Sequence, residues 1–340
     1  MQLDGGHGRS VLLGALTPPP SGAQVSQSLC AFVKRFLAVC LIALALPASA
    51  FAWGGTYPTG DSLGSSVRID VSDAYPVDET LPQSWATYLG TLVHGPELAT
   101  LTLDLVPVSE VQAQCGASAL ACYDPSSQTI MASSDSLLDE PSAQEIVAHE
   151  YGHHIANNRL DNPWPAEDYG TKRWASYENI CARTADGELS PGNEGSSYME
   201  NPGEAFAESY RVLNLTKAGD TAIGWDIVDR SFYPDATALS LLQQDVIDPW
   251  TGPTLTHVKG SFGNGIVRTI RVKTTLDGSF AARLHAPTKA KFRLSLWNGG
   301  QLVMRGATAV HTSICGQRSL TLKVERLSGR GAFTVDISKP

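Results

Sequence analysis

The sequence predicts an α+β fold in two parts, a mixed domain over residues 53–254 and a small all-β sandwich over residues 255–340. In the first part, segments that alternate apolar and polar residues lie among segments with helical spacing of apolar residues. In the second part, short alternating segments follow one another, and turns separate them at intervals of about ten residues. Asp248-Pro249 and Gly252-Pro253 mark the linker between the two parts.

Residues 1–52 are predicted to be a leader that does not belong to the fold. The first 32 residues are rich in Gly, Ser and Pro, which suggests a non-native extension from a start site placed too early. Val33-Lys34-Arg35, an apolar run from Phe36 to Leu46 and small residues up to Ala52 are typical of a secretory signal peptide. The apolar run is too short for a stable membrane span. We therefore expect a bacterial protein that is secreted or extracytoplasmic and has no stable membrane span after cleavage.

The mature chain keeps four of the six cysteines, namely Cys115, Cys122, Cys181 and Cys315. An even number in an exported chain favours disulfide bonds. Cys115 and Cys122 are close enough in sequence to close one loop, and a bond between Cys181 and Cys315 would then join the two domains. No C-x-x-C spacing occurs, so a cysteine-based zinc site is not expected.

Charge is divided unevenly between the two parts of the chain. Residues 255–340 hold 14 Lys and Arg against 3 Asp and Glu, a net charge of +11. Since the whole chain carries −9 and residues 1–52 carry +2, residues 53–254 carry −22. The basic C-terminal domain is therefore expected to contact the acidic domain or anionic cell-envelope polymers, unless both charges serve only solubility. No nucleic-acid partner is expected.

The mixed domain begins with an alternation of short strands and helices. Residues 67–71 and 101–105 alternate like strands, and residues 81–93 have helical spacing. Residues 121–131 are predicted to form a hairpin, whose strand around Ile130 is interpreted as an edge strand that could pair with an extended peptide. Further along, residues 158–200 are predicted to be a long polar loop beside the site. This loop is expected to be attached to the core by Trp174, Tyr177, Ile180 and Cys181. Residues 235–247 are predicted to be a helix that closes the domain.

The central motif is His149-Glu150-Tyr151-Gly152-His153-His154, which reads H-E-x-x-H. Ser142 with Glu145 three residues later forms a capping box, which predicts that a helix begins here. On a helix, His149 and His153 lie one turn apart on one face, where both imidazoles can reach one Zn²⁺. Glu150 lies on the adjacent flank, where it can accept a proton from water.

A second helix is predicted about fifty residues later, in Tyr198-Met199-Glu200-Asn201-Pro202-Gly203-Glu204-Ala205-Phe206-Ala207-Glu208. Asn201 suits the cap position and Pro202 the first helical position. Glu204 and Glu208 are four residues apart and share one face, a costly arrangement unless something cationic meets them. The alternative is a solvated acidic face on which Glu204 only caps the helix.

HEYGHH and NPGEAFAESY together resemble the gluzincin zinc metallopeptidases and are similar to the anthrax lethal factor type of catalytic domain. This resemblance implies a zincin-like fold for residues 53–254, Zn²⁺ as cofactor and a protein or peptide substrate. It implies roles for three residues, in which Glu204 is the third zinc ligand, Glu208 is the partner of His149, and Tyr198 steadies the oxyanion. His154 or Tyr151 are the other candidates for the oxyanion role, and Asp168 is the next candidate ligand. The expected function is that of a secreted zinc-dependent endopeptidase.

The C-terminal part resembles the bacterial pre-peptidase C-terminal domain that accompanies secreted peptidases. The segments predicted to be strands are 266–272, 280–284, 292–297, 320–324 and 333–335. Three histidines in this part, His257, His285 and His311, are interpreted as surface or turn residues and not as metal ligands.

Two other functions remain open on the sequence alone. The chain could be a secreted binding or cell-surface protein with a degenerate peptidase fold. It could also be a serine esterase, because Gly60-Asp61-Ser62-Leu63-Gly64 matches both G-x-S-x-G and G-D-S-L. A nucleophile elbow needs a buried strand before the serine, whereas residues 54–58 are interpreted as loop. No D-x-x-H follows near the C-terminus, so Ser62 is predicted to lie in a turn.

Overall fold

The structure is a computed structural model that describes residues 51–134, 142–225 and 227–340. Most of the predicted leader therefore lies outside the described residues. The contacts group residues 50–340 into one compact unit, and its helices and strands confirm a mixed α+β architecture. No helix in the described part of the chain is long and apolar enough to cross a membrane.

The first half of this unit contains a five-stranded sheet in the order β1-β2-β3-β5-β4. Its strands are β1 (Phe51–Pro58), β2 (Ser66–Ser72), β3 (Thr102–Leu105), β4 (Ala121–Asp124) and β5 (Thr129–Ala132). The pairs β2–β3 and β3–β5 are parallel, whereas β1 and β4 run antiparallel to their neighbours.

Two expectations about this sheet are wrong. Residues 54–58 were expected to be loop, but they belong to β1, where Gly54 has a φ of 138° and a Cβ would collide with the carbonyl oxygen of Ile69. Gly54, which made this strand look like a loop, is thus required by the close approach of β1 to β2. The strand around Ile130 is not an edge strand, because β5 pairs with both β3 and β4. The edge is β4, the other strand of the predicted hairpin.

The described residues of this half also contain eight α-helices. They are α1 (Thr80–Thr91), α2 (Val108–Cys115), α3 (Ala143–Asn157), α4 (Ala166–Tyr169), α5 (Lys172–Tyr177), α6 (Ile180–Ala185), α7 (Pro202–Ala218) and α8 (Ala236–Ile247). Single 3₁₀ turns occur at Pro96–Thr100, Tyr198–Glu200 and Arg230–Phe232. The buried apolar side chains of the sheet and of these helices form one continuous core.

The segment 158–200 is more ordered than the predicted long loop, since α4, α5 and α6 lie within it. These helices have only four to six residues, so they are too short to show a helical period in the sequence. Trp174 and Ile180 are fully buried and attach the segment to the core as expected. Tyr177 instead remains exposed and donates a hydrogen bond to the Asp235 carboxylate over 2.7 Å.

The second half of the unit consists of two antiparallel four-stranded sheets, in the orders β10-β9-β12-β7 and β11-β8-β13-β6. The strands are β6 (Thr254–Ser261), β7 (Val267–Lys273), β8 (Gly278–His285), β9 (Lys291–Asn298), β10 (Gln301–Gly306), β11 (Ala309–Ile314), β12 (Ser319–Ser328) and β13 (Ala332–Lys339). All five predicted strands are present. Three further strands, β6, β10 and β11, were not predicted, and most residues of β6 and β10 and half of those of β11 are exposed. Both sheets bury their inner residues in one shared hydrophobic cluster.

The two halves are joined by a disulfide bond and by polar contacts. Cys181 in α6 is bonded to Cys315, and Cys115 is bonded to Cys122, which confirms both predicted pairs. The buried Lys172 ammonium donates to the carbonyl of Asp277 over 3.1 Å. The Arg318 guanidinium donates in turn to the carbonyl oxygen of Ser176 over 2.6 Å. Both contacts end on backbone carbonyls, so the attraction between the basic and acidic domains stays a prediction.

Candidate metal centre

The two motif helices begin where the sequence places their caps. The Ser142 hydroxyl accepts from the backbone N–H of Glu145 over 3.2 Å, and the Glu145 carboxylate accepts from the N–H of Ser142 over 2.9 Å. This reciprocal pair starts α3. The Asn201 side chain accepts from the N–H of Gly203 over 3.1 Å and starts α7, with Pro202 in the first turn.

A glycine inside the first motif lets these two helices approach each other closely. A Cβ on Gly152 would lie 2.7 Å from the Cα of Ala207, closer than side-chain atoms pack. Gly152 lies between the two motif histidines on α3, and Ala207 lies between Glu204 and Glu208 on α7. The contact therefore brings the histidine face of one helix against the acidic face of the other.

Three side chains converge where the helices meet. His149 Nε2 lies 3.2 Å from Glu204 Oε2, and His153 Nε2 lies 3.3 Å from Glu204 Oε1. One ligand atom from each of the three residues lies within 4.8 Å of the others, and this is the group in the described residues that could hold a metal ion. His149 and Glu204 are buried, whereas His153 is half-buried and borders the accessible side.

The electrostatics of this cluster fit a cation. Burial alone would raise the pKa of Glu204, but the neighbouring imidazoles, His153 foremost, hold it well below its usual range. Burial likewise opposes a charge on His149, yet its contacts with Glu204 and Glu208 raise its pKa well above the ordinary value. The buried carboxylates of Glu204 and Glu208 are thus stabilised by positive charge on the imidazoles. A divalent metal bound to the imidazoles would supply positive charge without protonating the rings.

The remaining motif acid, Glu150, is half-buried beside the cluster. Burial raises the pKa of its carboxyl group; His149 and His153 act in the opposite direction, and Glu204 adds to the rise. Glu150 therefore lies within electrostatic reach of all three candidate ligands without being one of the converging groups. A carboxylate with a raised pKa in this position is suited to accept and return a proton.

Glu208 and Tyr198 each contact one of the three candidate ligands. Glu208 Oε2 lies 3.2 Å from His149 Nδ1, the nitrogen that faces away from Glu204. The Tyr198 hydroxyl donates to Glu204 Oε2 over 2.5 Å. Burial and then the charge of Glu204 raise the pKa of Tyr198 well above its usual range, so its hydroxyl remains a donor.

The other candidates for these roles lie away from the cluster. His154 is fully buried; its Nε2 donates to the carbonyl oxygen of Glu97 over 2.9 Å, and its Nδ1 accepts from the Tyr123 hydroxyl over 3.0 Å. Tyr151 is also fully buried and donates to the Glu97 carboxylate over 3.4 Å. Both side chains are therefore engaged with partners outside the three converging groups, and the assignment of the oxyanion role stays a prediction. Asp168 lies against Gly192 and is not among the converging ligands.

The G-D-S-L match has the geometry of a turn, as predicted. Ser62 lies in an exposed turn between the end of β1 and the start of β2. Its neighbour Asp61 closes that turn by accepting from the hydroxyl of Thr59 over 2.8 Å and from the N–H of Ser65 over 3.1 Å. The three C-terminal histidines are exposed as expected, and His257 and His285 both contact Asp336.

Sequence reasoning missed one residue that belongs to the site, Arg211. Its guanidinium forms a fork on the Glu208 carboxylate, with Nε 3.0 Å from Oε2 and Nη2 2.6 Å from Oε1. The signal was available, because an arginine three residues after an acid shares its helical face. That spacing by itself predicts only an ion pair on the helix surface, whereas Arg211 is buried.

Comparison with known proteins adds little to this geometry. No family model matches the chain, and no curated protein matches it. A mitogen from Yersinia pseudotuberculosis is 18% identical over 26% of this chain and 86% of its own, with a TM-score of 0.22. The capsular polysaccharide assembling protein CapF from Staphylococcus aureus is 9% identical over 80% of this chain and 82% of its own, with a TM-score of 0.14. Similarity at these TM-scores carries no argument about fold or function.

Proposed function

We propose that this protein is a secreted zinc-dependent endopeptidase of the gluzincin type, with a zincin-like domain over residues 53–254 and a β-sandwich over residues 255–340. The observation that carries the proposal is the convergence of His149, His153 and Glu204, whose ligand atoms lie within 4.8 Å of one another. Two imidazoles and one carboxylate are the protein ligands of many catalytic zinc sites, which keep one position open for reaction.

The chain's own residues divide the chemistry among them. His149, His153 and Glu204 would hold Zn²⁺, which would supply a Lewis acid that lowers the pKa of water and polarises a carbonyl. Glu150 accepts the proton of the attacking water and passes it to the leaving amine.

Two more residues support these steps. Glu208 accepts from His149 Nδ1–H and thereby holds the ring with Nε2 towards the metal. Tyr198 turns its hydroxyl from Glu204 to the oxyanion that forms as water attacks the peptide carbonyl.

The surroundings of the cluster suit a peptide substrate. The edge strand β4 lies against α3, since the Tyr123 hydroxyl in β4 is bonded to His154 in the motif helix. An edge strand offers unpaired backbone groups that an extended peptide can meet. The net charge of −22 over residues 53–254 favours peptides that carry Lys and Arg.

The test combines metal content with hydrolysis. We expect the purified mature protein to hold one zinc per chain and to cleave an unfolded protein such as casein, and a chelator to abolish the cleavage. Glu150→Gln should keep zinc and lose nearly all hydrolysis, because this acid moves a proton and does not bind the metal.

Two results would contradict the proposal. Wild-type turnover in the Glu150 variant would refute the assigned mechanism. A wild-type protein without zinc and without hydrolysis would favour the alternative, a binding or cell-surface protein with a degenerate peptidase fold.

A further inference from the structure

The carboxylate of Glu208 is held from two sides. One side is the His149 ring, whose Nδ1 lies 3.2 Å from Oε2. The other side is the Arg211 guanidinium, which engages both carboxylate oxygens over 3.0 Å and 2.6 Å. A bidentate fork between a guanidinium and a carboxylate fixes the plane of the carboxylate as well as its position. Of these two contacts, only the fork sets the direction in which Oε2 points.

The guanidinium is itself anchored on three sides. Its Nη2 also donates to the carbonyl oxygen of Gly224 over 2.6 Å, and its Nη1 lies 3.5 Å from Glu145 Oε1. The other oxygen of Glu145 caps the first turn of α3. Arg211 therefore connects α7, the start of α3 and the segment that follows α7. This arrangement leaves the fork little freedom to move relative to the motif histidines.

We propose that Arg211 is a positioning residue, which aims Glu208 at His149 and through it orients the His149 ring towards the metal. The inference rests on the proposed zinc site, but it concerns a residue that neither motif contains. Without the guanidinium, the buried Glu208 carboxylate would keep His149 as its single partner among the described residues and could rotate about its last bond. The His149 tautomer and ring angle would then be less well defined. Partners of ligating histidines typically change metal affinity by about 10–100-fold.

The experiment measures how fast zinc leaves the full mature protein, using a chromogenic chelator in excess. The variants are Arg211→Gln, Glu208→Gln and the double variant, with Arg211→Lys as a milder change that keeps the charge but not the fork. Arg159→Gln is the matched control, because the side chain of Arg159 is about as buried as that of Arg211, lies 2.9 Å from the Glu97 carboxylate and touches no candidate ligand. Thermal unfolding of the apo forms measures stability separately.

The expected result is specific to a positioning role. The Arg211→Gln variant should release zinc about 10–100-fold faster than wild type. The release rate of the Arg211→Lys variant should lie between those of wild type and Arg211→Gln. Arg159→Gln should lose stability yet keep the wild-type release rate. In the Glu208→Gln background, the Arg211 substitution should have no further effect on zinc release, because the route through the Glu208 carboxylate that we assign to it has been removed.

Other outcomes overturn the inference. Additive effects of the two substitutions would show that Arg211 acts on the metal by a route other than Glu208. A release rate for Arg211→Gln no faster than that for Arg159→Gln would show that Arg211 serves stability alone. Should Arg211→Gln fail to fold, a wild-type release rate in Arg211→Lys would have the same meaning. A wild-type protein that holds no stoichiometric zinc would instead refute the proposed function and this inference with it.

Discussion

The two acids on α7 are chemically alike, and the structure predicts opposite results when each is removed. Glu204 contacts the Nε2 atoms of both motif histidines, at 3.2 Å and 3.3 Å. Glu208 lies one turn further along, about 6 Å at 1.5 Å per residue, and contacts only Nδ1 of His149. We therefore expect Glu204→Ala to lose nearly all of the metal and Glu208→Ala to retain more of it.

The magnitudes follow from the number of bonds that each substitution removes. A zinc site binds with roughly 10–16 kcal/mol, so one of about four ligands accounts for about 3 kcal/mol, or a loss of about 100-fold or more in affinity. Removing Glu208 leaves all three ligands in place and should weaken binding by about 10–100-fold. In a buffer that holds free zinc about tenfold above the wild-type dissociation constant, these losses correspond to a Glu204→Ala variant that is about 10% filled or less and a Glu208→Ala variant that is about 10–50% filled.

Metal content after dialysis against that buffer measures the difference. Glu188→Ala serves as the control, because this acid is exposed and lies outside the cluster, and it should bind zinc like wild type. An empty Glu208 variant with a filled Glu204 variant would reverse the assigned roles. If both variants stayed filled, the third ligand would lie outside the cluster.

Three further predictions concern stability, disulfides and substrate charge. Burial and the neighbouring Asp70 raise the pKa of Asp104 to about 7. Between about pH 4 and 7 the folded state therefore keeps a proton that the unfolded state releases, so the free energy of unfolding falls as pH rises. Asp104→Asn should weaken the pH dependence of the free energy of unfolding and raise that free energy by about 1–2 kcal/mol at pH 8, allowing for partial solvent screening. This prediction fails if urea denaturation between pH 5 and 8 gives the variant the same pH dependence as wild type. The mature protein should show no free thiol when titrated under denaturing, non-reducing conditions, and two or more reactive thiols per chain would exclude the two disulfide bonds. Peptides rich in Lys and Arg should be cleaved with higher kcat/KM than matched acidic peptides. This preference should decrease as the salt concentration is raised from low to physiological values. A preference that does not change with salt would rule out the charge of −22 as its cause.

Local sequence was sufficient for the two helices that carry the site. The capping box of Ser142 and Glu145 starts α3, and Asn201 with Pro202 starts α7. Each signal acts within four residues, so it needs no tertiary contact. The spacing of His149 and His153 on one helical face follows from the 3.6-residue turn alone. Cysteine number and sequence separation likewise predicted both disulfide pairs.

Strand order and the grouping of side chains from different elements were decided by the tertiary structure alone. The sequence of the hairpin cannot tell whether β4 or β5 forms the edge, because that depends on which of them pairs with β3, about 30 residues away. Glu204 and Glu208 cannot be distinguished on an isolated helix. The close packing of Gly152 against Ala207 fixes the position of α7 relative to α3. In that position Glu204 contacts Nε2 of His149, and Glu208 contacts Nδ1 of the same ring. Arg211 acquires its place in the site only because that packing buries it, since burial converts an ordinary helical ion pair into a fixed support for a buried carboxylate.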